Sequence, residues 1–344
     1  MKKILIPFFL IIVFSVASFL FFKNNPIEKS YQAADTQSTQ KEGPAPEINK
    51  TYPDSIPIMS EKEFTGSDLK LEKVLATNES YTRYHITYKS EGFKISGIMN
   101  VPQGNGPFPI LILNHGYIDP KNYTNGQGLK REQDYFARNG YVVLHSDYRN
   151  HAQSDFDQNN EVRPRSGYVE DVLNAISALK NSELTFLDKE NIGMLGHSMG
   201  GGITLNVMVT KPEIAKAYAL LAPINSDYKE NFDRWVVNDW PEEIAQQFYQ
   251  IYGTYKENPE AWKSLSAKYY FDKVASPVML HQGALDEDVP VEWSRELNDL
   301  LKQENKNIAY FEYPNEGHTF INAQPVVMER TLKFFDENLK QDQQ

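Results

Sequence analysis

Three side chains far apart in the sequence have the types that acyl transfer requires: Ser198, Asp286 and His318. Ser198 lies in Gly196-His197-Ser198-Met199-Gly200, a G-x-S-x-G turn with an apolar run before it and a helical run after it. A serine hydroxyl is a poor nucleophile until a base takes its proton. Histidine, whose ordinary pKa is about 6.5, can take that proton and later return it to a leaving group. An aspartate beside the imidazole fixes the useful tautomer and stabilises the imidazolium. Two backbone amides complete the set. Met199 follows the serine at a helix start, and Tyr117 follows the His115-Gly116 pair, so both amides are expected to hold an oxyanion.

Each of these residues needs a strand end to stand on. Thr82–Tyr88 and Phe93–Val101 alternate apolar with polar about Glu91-Gly92, the pattern of a hairpin. The continuous runs Ile110–Leu113, Tyr141–Leu144, Ile192–Leu195, Ala217–Leu221, Pro277–Gln282 and Ile308–Tyr313 suit strands buried on both faces. Helical spacing is expected near 131–139, 168–180, 293–302 and 326–338, and over 203–209 as an amphipathic helix. Strands alternating with helices predict an α/β fold: a mostly parallel eight-stranded sheet with helices on both faces. Residues from about 226 to 270 break that rhythm with Trp235, Trp240, Trp262 and several tyrosines, and are expected to form a small helical cap. Trp235 and Trp240 are the expected substrate-binding residues, since aromatics give rigid apolar area to a pocket, whereas packing onto the domain is the default for most of the cap's aromatics.

The pentapeptide alone also fits an ordinary strand-to-helix turn, and His115-Gly116 alone fits an ordinary glycine turn. What separates the readings is coincidence. A serine, an acid and a histidine occupy successive strand ends in the order Ser, Asp, His, and loops at the carboxyl edge of a parallel sheet converge. Asp288 is the rival acid, and Asp286 is preferred because it lies closer to its strand end. The other histidines at 85, 115, 145, 151, 197 and 281 have no metal-ligand spacing, and no metal or cofactor is expected.

A net charge of −11 over 344 residues argues against nucleic acid as a partner. Cysteine is absent, which removes disulfides, thiolate metal sites and lipidated cysteine from consideration. At the N-terminus Lys2 and Lys3 precede the uncharged apolar run Ile4–Phe22. As a helix it spans about 28 Å, close to the bilayer core. Residues 1–23 are therefore expected to be a signal anchor with the catalytic domain outside the membrane, or a cleaved signal peptide of a secreted protein. Residues 24–60 are polar and Pro-containing, as in a flexible linker, and 61–344 form the catalytic domain.

The stretch from Ile86 to Phe335 resembles the catalytic domain of the prolyl oligopeptidase (S9) serine peptidases and related bacterial esterases, within the α/β-hydrolase superfamily. The resemblance rests on Phe93–Val101, His115-Gly116-Tyr117, Asp147-Tyr148-Arg149, Gly196–Gly201, Gly283–Pro290 and Gly317-His318. It implies a triad of Ser198, Asp286 and His318 and a short peptide or small ester as substrate. Two features depart from the peptidases. The region before Thr82 is too short for the β-propeller of larger members, and Met199 stands where these peptidases often have an aromatic. The expected activity is thus hydrolysis of an ester or amide through an acyl-enzyme, as an S9-type serine peptidase or a carboxylesterase. A non-catalytic surface binding protein on the same fold is the alternative of another class.

Overall fold

The protein is described by a computed structural model over residues 52–340. The strands are β1 (Ser67–Thr77), β2 (Tyr81–Ser90), β3 (Phe93–Pro102), β4 (Phe108–Asn114), β5 (Val142–Ser146), β6 (Leu187–His197), β7 (Ala217–Leu221), β8 (Val278–Gly283) and β9 (Ile308–Tyr313). They form one sheet in the order β1-β2-β3-β5-β4-β6-β7-β8-β9. The pairs β1–β2, β2–β3 and β3–β5 are antiparallel, and all others are parallel.

The sheet has nine strands and not the eight expected, and β1 is the addition. Its Leu69 and Leu71 alternate with charged residues, but register shifts against β2 near Leu71 and Val74 break the period. It is an exposed edge strand bearing Asp68, Lys70, Glu72 and Lys73, charges that blunt an open edge.

The buried runs divide their side chains between two cores. Ile110, Ile112, Val142, Leu144 and Met194 face one, and Leu111, Leu113, Val143 and Leu195 face the other. Helices α1 (Ile56–Glu61), α3 (Ser166–Asn181) and α4 (Met199–Thr210) cover the first face, and α2 (Lys130–Arg138) and α10 (Gln324–Leu339) the second. Helix α9 (Val291–Gln303) contributes Leu297 and Leu301 to the first. Helix α4 is not amphipathic as its spacing suggested. All of its residues but Asn206 are buried, because it lies between the sheet and its neighbours and has no solvent face.

A group of short helices lies between β7 and β8. It comprises α5 (Tyr228–Asn231), a π turn (Phe232–Val236), α6 (Val237–Asp239), α7 (Glu242–Tyr252) and α8 (Pro259–Ser264). Phe232, Phe248, Tyr252 and Trp262 give it a core of its own. The domain starts earlier than the boundary at 61. Ile56 and Met59 are buried against the main core, and the Asp54 carboxylate accepts hydrogen bonds from Arg163 Nε (2.8 Å), Ser166 Oγ (2.5 Å) and Tyr252 OH (2.6 Å). The expected anchor, and the linker up to residue 51, lie outside the described residues. Among those described, no helix is long and apolar enough to cross a membrane.

Candidate active site

Strand β6 ends at His197, and α4 begins at Met199, leaving Ser198 to make the whole turn. Its backbone sits at φ 56°, ψ −121°, a left-handed conformation that a residue with a side chain adopts at a cost. The surroundings hold it there. Ser198 N donates to Leu221 O at 3.0 Å, and Ser198 O accepts from Gly201 N at 2.9 Å. The turn also requires its glycines. A Cβ on Gly196 would fall 2.3 Å from Gly200 O, and one on Gly200 would fall 2.0 Å from Asn114 O.

The acid and the base arrive on the loops after β8 and β9. Asp286 Oδ2 lies 2.9 Å from His318 Nδ1, and Oδ1 lies 3.1 Å from it. The carboxylate is fully buried, while His318 keeps 15% of its side chain exposed. Asp286 Oδ1 also accepts from the amides of Asp288 (3.0 Å) and Val289 (2.9 Å), and Oδ2 from Gln282 Nε2 (2.9 Å). Burial works against ionisation here. The hydrogen bonds from His318, Val289 and Gln282 outweigh it and hold the carboxyl below its ordinary range. An ionised Asp286 accepts only, so His318 carries its proton on Nδ1 and leaves Nε2 as a lone pair. Asp288, the rival acid, is exposed, and its hydrogen bond to Asp286 comes from its backbone amide.

Ser198 and His318 line one cavity of about 870 Å³, together with Gly116, Tyr117, Trp235 and Trp240. Trp235 and Trp240 thus lie at the wall of the cavity that Ser198 lines, whereas Trp262 is buried in the cap with its Nε1 donating to Gly253 O at 3.0 Å. The turn after β4 runs directly beside the nucleophile, since a Cβ on Gly116 would sit 3.1 Å from Ser198 Cβ. His115 Nδ1 donates to the Gly116 carbonyl at 2.7 Å, which fixes the plane of the 116–117 peptide. Because a trans peptide points its N–H opposite its C=O, this also fixes the direction of the Tyr117 amide. The Met199 amide is one of the unpaired donors of the α4 N-terminus.

Two residues support the site from positions around the motifs: His197, for which the sequence suggests a supporting and not a metal-binding role, and Gln282, which the sequence did not single out. His197 Nε2 donates to the His318 carbonyl at 3.0 Å, and the two rings lie 4.6 Å apart. Burial, with His318 adding to it, lowers the His197 pKa to about 4, so this donor stays neutral. Gln282 spans between Asp286 and Ser294 Oγ, which donates to its Oε1 at 2.7 Å. No pattern pointed to these contacts, because both residues occupy positions that the serine and acid motifs leave variable.

Asp286, Asp288 and His318 also bring ligand atoms within 4.8 Å of one another. The oxygens of Asp286 are already taken by four donors, so the grouping is an acid–base pair with an exposed neighbour.

Residues 127–342 match the prolyl oligopeptidase family. An uncharacterised peptidase of Bacillus subtilis (strain 168), YuxL, is 24% identical over 282 residues, covering 77% of this chain and 39% of its own. The acylaminoacyl peptidase of Pyrococcus horikoshii superposes with a TM-score of 0.61 at 20% identity, over 76% of this chain and 42% of that one. Acetyl xylan esterase 1 from Thermoanaerobacterium sp. JW/SL YS485 superposes with a TM-score of 0.60 at 18% identity, over 82% of this chain and 90% of that one. The chain thus spans about two-fifths of the length of the two peptidases. The fold is that of the α/β-hydrolases.

Proposed function

Because the chain belongs to the prolyl oligopeptidase family and is a serine hydrolase, we propose that it cleaves a small ester or a short peptide through an acyl-enzyme on Ser198, outside the cytoplasm. Ser198 Oγ attacks the substrate carbonyl carbon while its proton passes to His318 Nε2. The amides of Met199 and Tyr117 receive the oxyanion, where one donor is typically worth roughly 10²–10³ in rate. The C–N or C–O bond then breaks, and the leaving group takes the proton from His318. Water, deprotonated by His318, attacks the acyl carbon, releases the acid and restores Ser198. Asp286 accepts the hydrogen bond from His318 Nδ1–H throughout and stabilises the imidazolium.

The observation that carries this reading is the Asp286–His318 hydrogen bond at 2.9 Å, opening on the cavity that Ser198 also lines. Peptide hydrolysis is supported by the family, and carboxylesterase activity by Met199, an unbranched side chain after the nucleophile where the peptidases often carry an aromatic. The location is supported by Lys2, Lys3 and the apolar run behind them.

The test pairs a fluorophosphonate probe with a substrate panel of p-nitrophenyl esters, aminoacyl amides and Xaa-Pro amides. Wild type is expected to be labelled and to turn over at least one class, and Ser198→Ala to do neither. An unlabelled wild-type protein with a normal melting curve would favour a binding protein on a hydrolase fold.

A further inference from the structure

The loop before α3 carries three arginines with unlike surroundings. Arg149 meets Asp157 at 3.0 Å, Glu170 at 3.1 Å and Asp171 at 2.9 Å. Arg163 meets Asp54 at 2.7 Å and Glu170 at 3.1 Å. Arg165 lines the cavity of Ser198, is half-buried, and its guanidinium has neither a hydrogen bond nor an ion pair among the described residues. Burial lowers its pKa, with Tyr228, Tyr168 and an exposed Glu161 acting against that from a distance. A guanidinium taken partly out of water without an acceptor is costly, and it is most useful where an oxyanion arrives to meet its planar fork.

The other charges of the cavity are already answered or face water. Glu132 is buried beside Arg131 at 3.6 Å, and Arg131 Nη2 donates to Thr319 O at 2.9 Å. Lys130, Asp239 and Asp288 are exposed. In a chain of net charge −11, the half-buried charge left without a partner among the described residues in the cavity that the nucleophile lines is positive.

We propose that Arg165 is a specificity-determining residue that receives a carboxylate of the substrate, so that anionic esters or amides are cleaved in preference to their neutral counterparts. This rests on the serine hydrolase reading and adds the substrate class. The carboxylate belongs either to the acyl part or to the leaving group, and both present the same chemistry to the guanidinium.

Two substrate pairs separate those sources. p-Nitrophenyl hydrogen glutarate against its methyl ester tests the acyl side, and 3-acetoxybenzoate against its methyl ester tests the leaving group. In one pair, the ratio of kcat/KM for the anionic over the neutral member is expected to fall roughly ten- to hundredfold in Arg165→Gln. Arg165→Lys, which keeps the charge but not the fork, should retain part of it. Ratios within about twofold of wild type in both pairs and both variants would overturn the proposal. A parallel measurement does not depend on turnover: the Tm shift produced by monomethyl glutarate. A shift in wild type that is lost in Arg165→Gln supports the assignment. Equal shifts in the two proteins, or none in either, count against it. Ester turnover abolished by Ser198→Ala reports separately on the hydrolase itself.

Discussion

Replacing Asp286 by Asn changes one atom, and the surroundings of that atom set the outcome. Oδ1 accepts from the Asp288 and Val289 amides, and Oδ2 from Gln282 Nε2, with His318 Nδ1 within reach of both oxygens. All of these partners donate, so the new NH₂ group faces a donor in either orientation. Placed at Oδ1 it forfeits two backbone hydrogen bonds. Placed at Oδ2 it drives His318 to the tautomer whose Nδ1 accepts and whose Nε2 carries the proton. That histidine cannot take a proton from Ser198. A wrong tautomer of this kind costs on the order of 10⁴ in kcat, about 5 kcal/mol of transition-state stabilisation. Asp288→Asn alters an exposed side chain and leaves its amide in place, so its rate should stay within about threefold of wild type. The assay is kcat/KM on p-nitrophenyl acetate for both variants, with melting curves to show that each is folded. Asp286→Asn retaining more than a tenth of wild-type activity, or Asp288→Asn losing as much as Asp286→Asn, would refute the assignment.

Trp235→Ala or Trp240→Ala should reorder acyl chains by kcat/KM by about 1–3 kcal/mol of discrimination, with little loss on the best substrate. A profile over short and long acyl esters checks it, and an unchanged ranking with a lower Tm would show that the two rings only pack. His115→Phe keeps the stack with Tyr148 (4.4 Å) and Tyr123 (4.9 Å) but removes the donor to Gly116 O. It is expected to lower kcat roughly ten- to hundredfold with KM nearly constant, and a purely structural role would lower Tm and leave kcat alone. Glu170 accepts from Lys62 Nζ (2.8 Å), Arg149 and Arg163. Burial opposes its ionisation, but the three cations outweigh it and hold its pKa below the ordinary value. A depressed carboxyl contributes stability above its unfolded pKa, about 4.3, and loses it as pH falls through the lower folded value. The Tm deficit of Glu170→Gln should therefore be largest near pH 7 and shrink below about pH 4, and a deficit independent of pH would contradict the ion-pair argument.

The sequence held the positions that chemistry and buried strands both constrain. Runs such as Ile110–Leu113 could only be strands enclosed on both faces, and the serine, acid and histidine stand at the ends of such strands. The acid was legible for the same reason: Asp286 follows β8 closely enough to turn back under His318 and collect the amides of its own loop. Edge strand β1 was hidden because an exposed strand need not alternate strictly, and its bulges break what period it has. Asp54 and the helix at Ile56–Glu61 were hidden at the end of a polar stretch, since the apolar run there is only four residues long and it is ordered by Ile56 and Met59 in the core together with the contacts of Asp54 to Arg163, Ser166 and Tyr252. The particular roles of His197 and Arg165 were hidden for a different reason. What these residues do depends on which atoms the fold brings near them, a carbonyl 121 residues away for His197 and, among the described residues, no ion-pair partner for Arg165. Catalytic identity was therefore written locally, in motifs. Positioning and selectivity come from contacts, or from a missing contact, that exist only once the loops have converged.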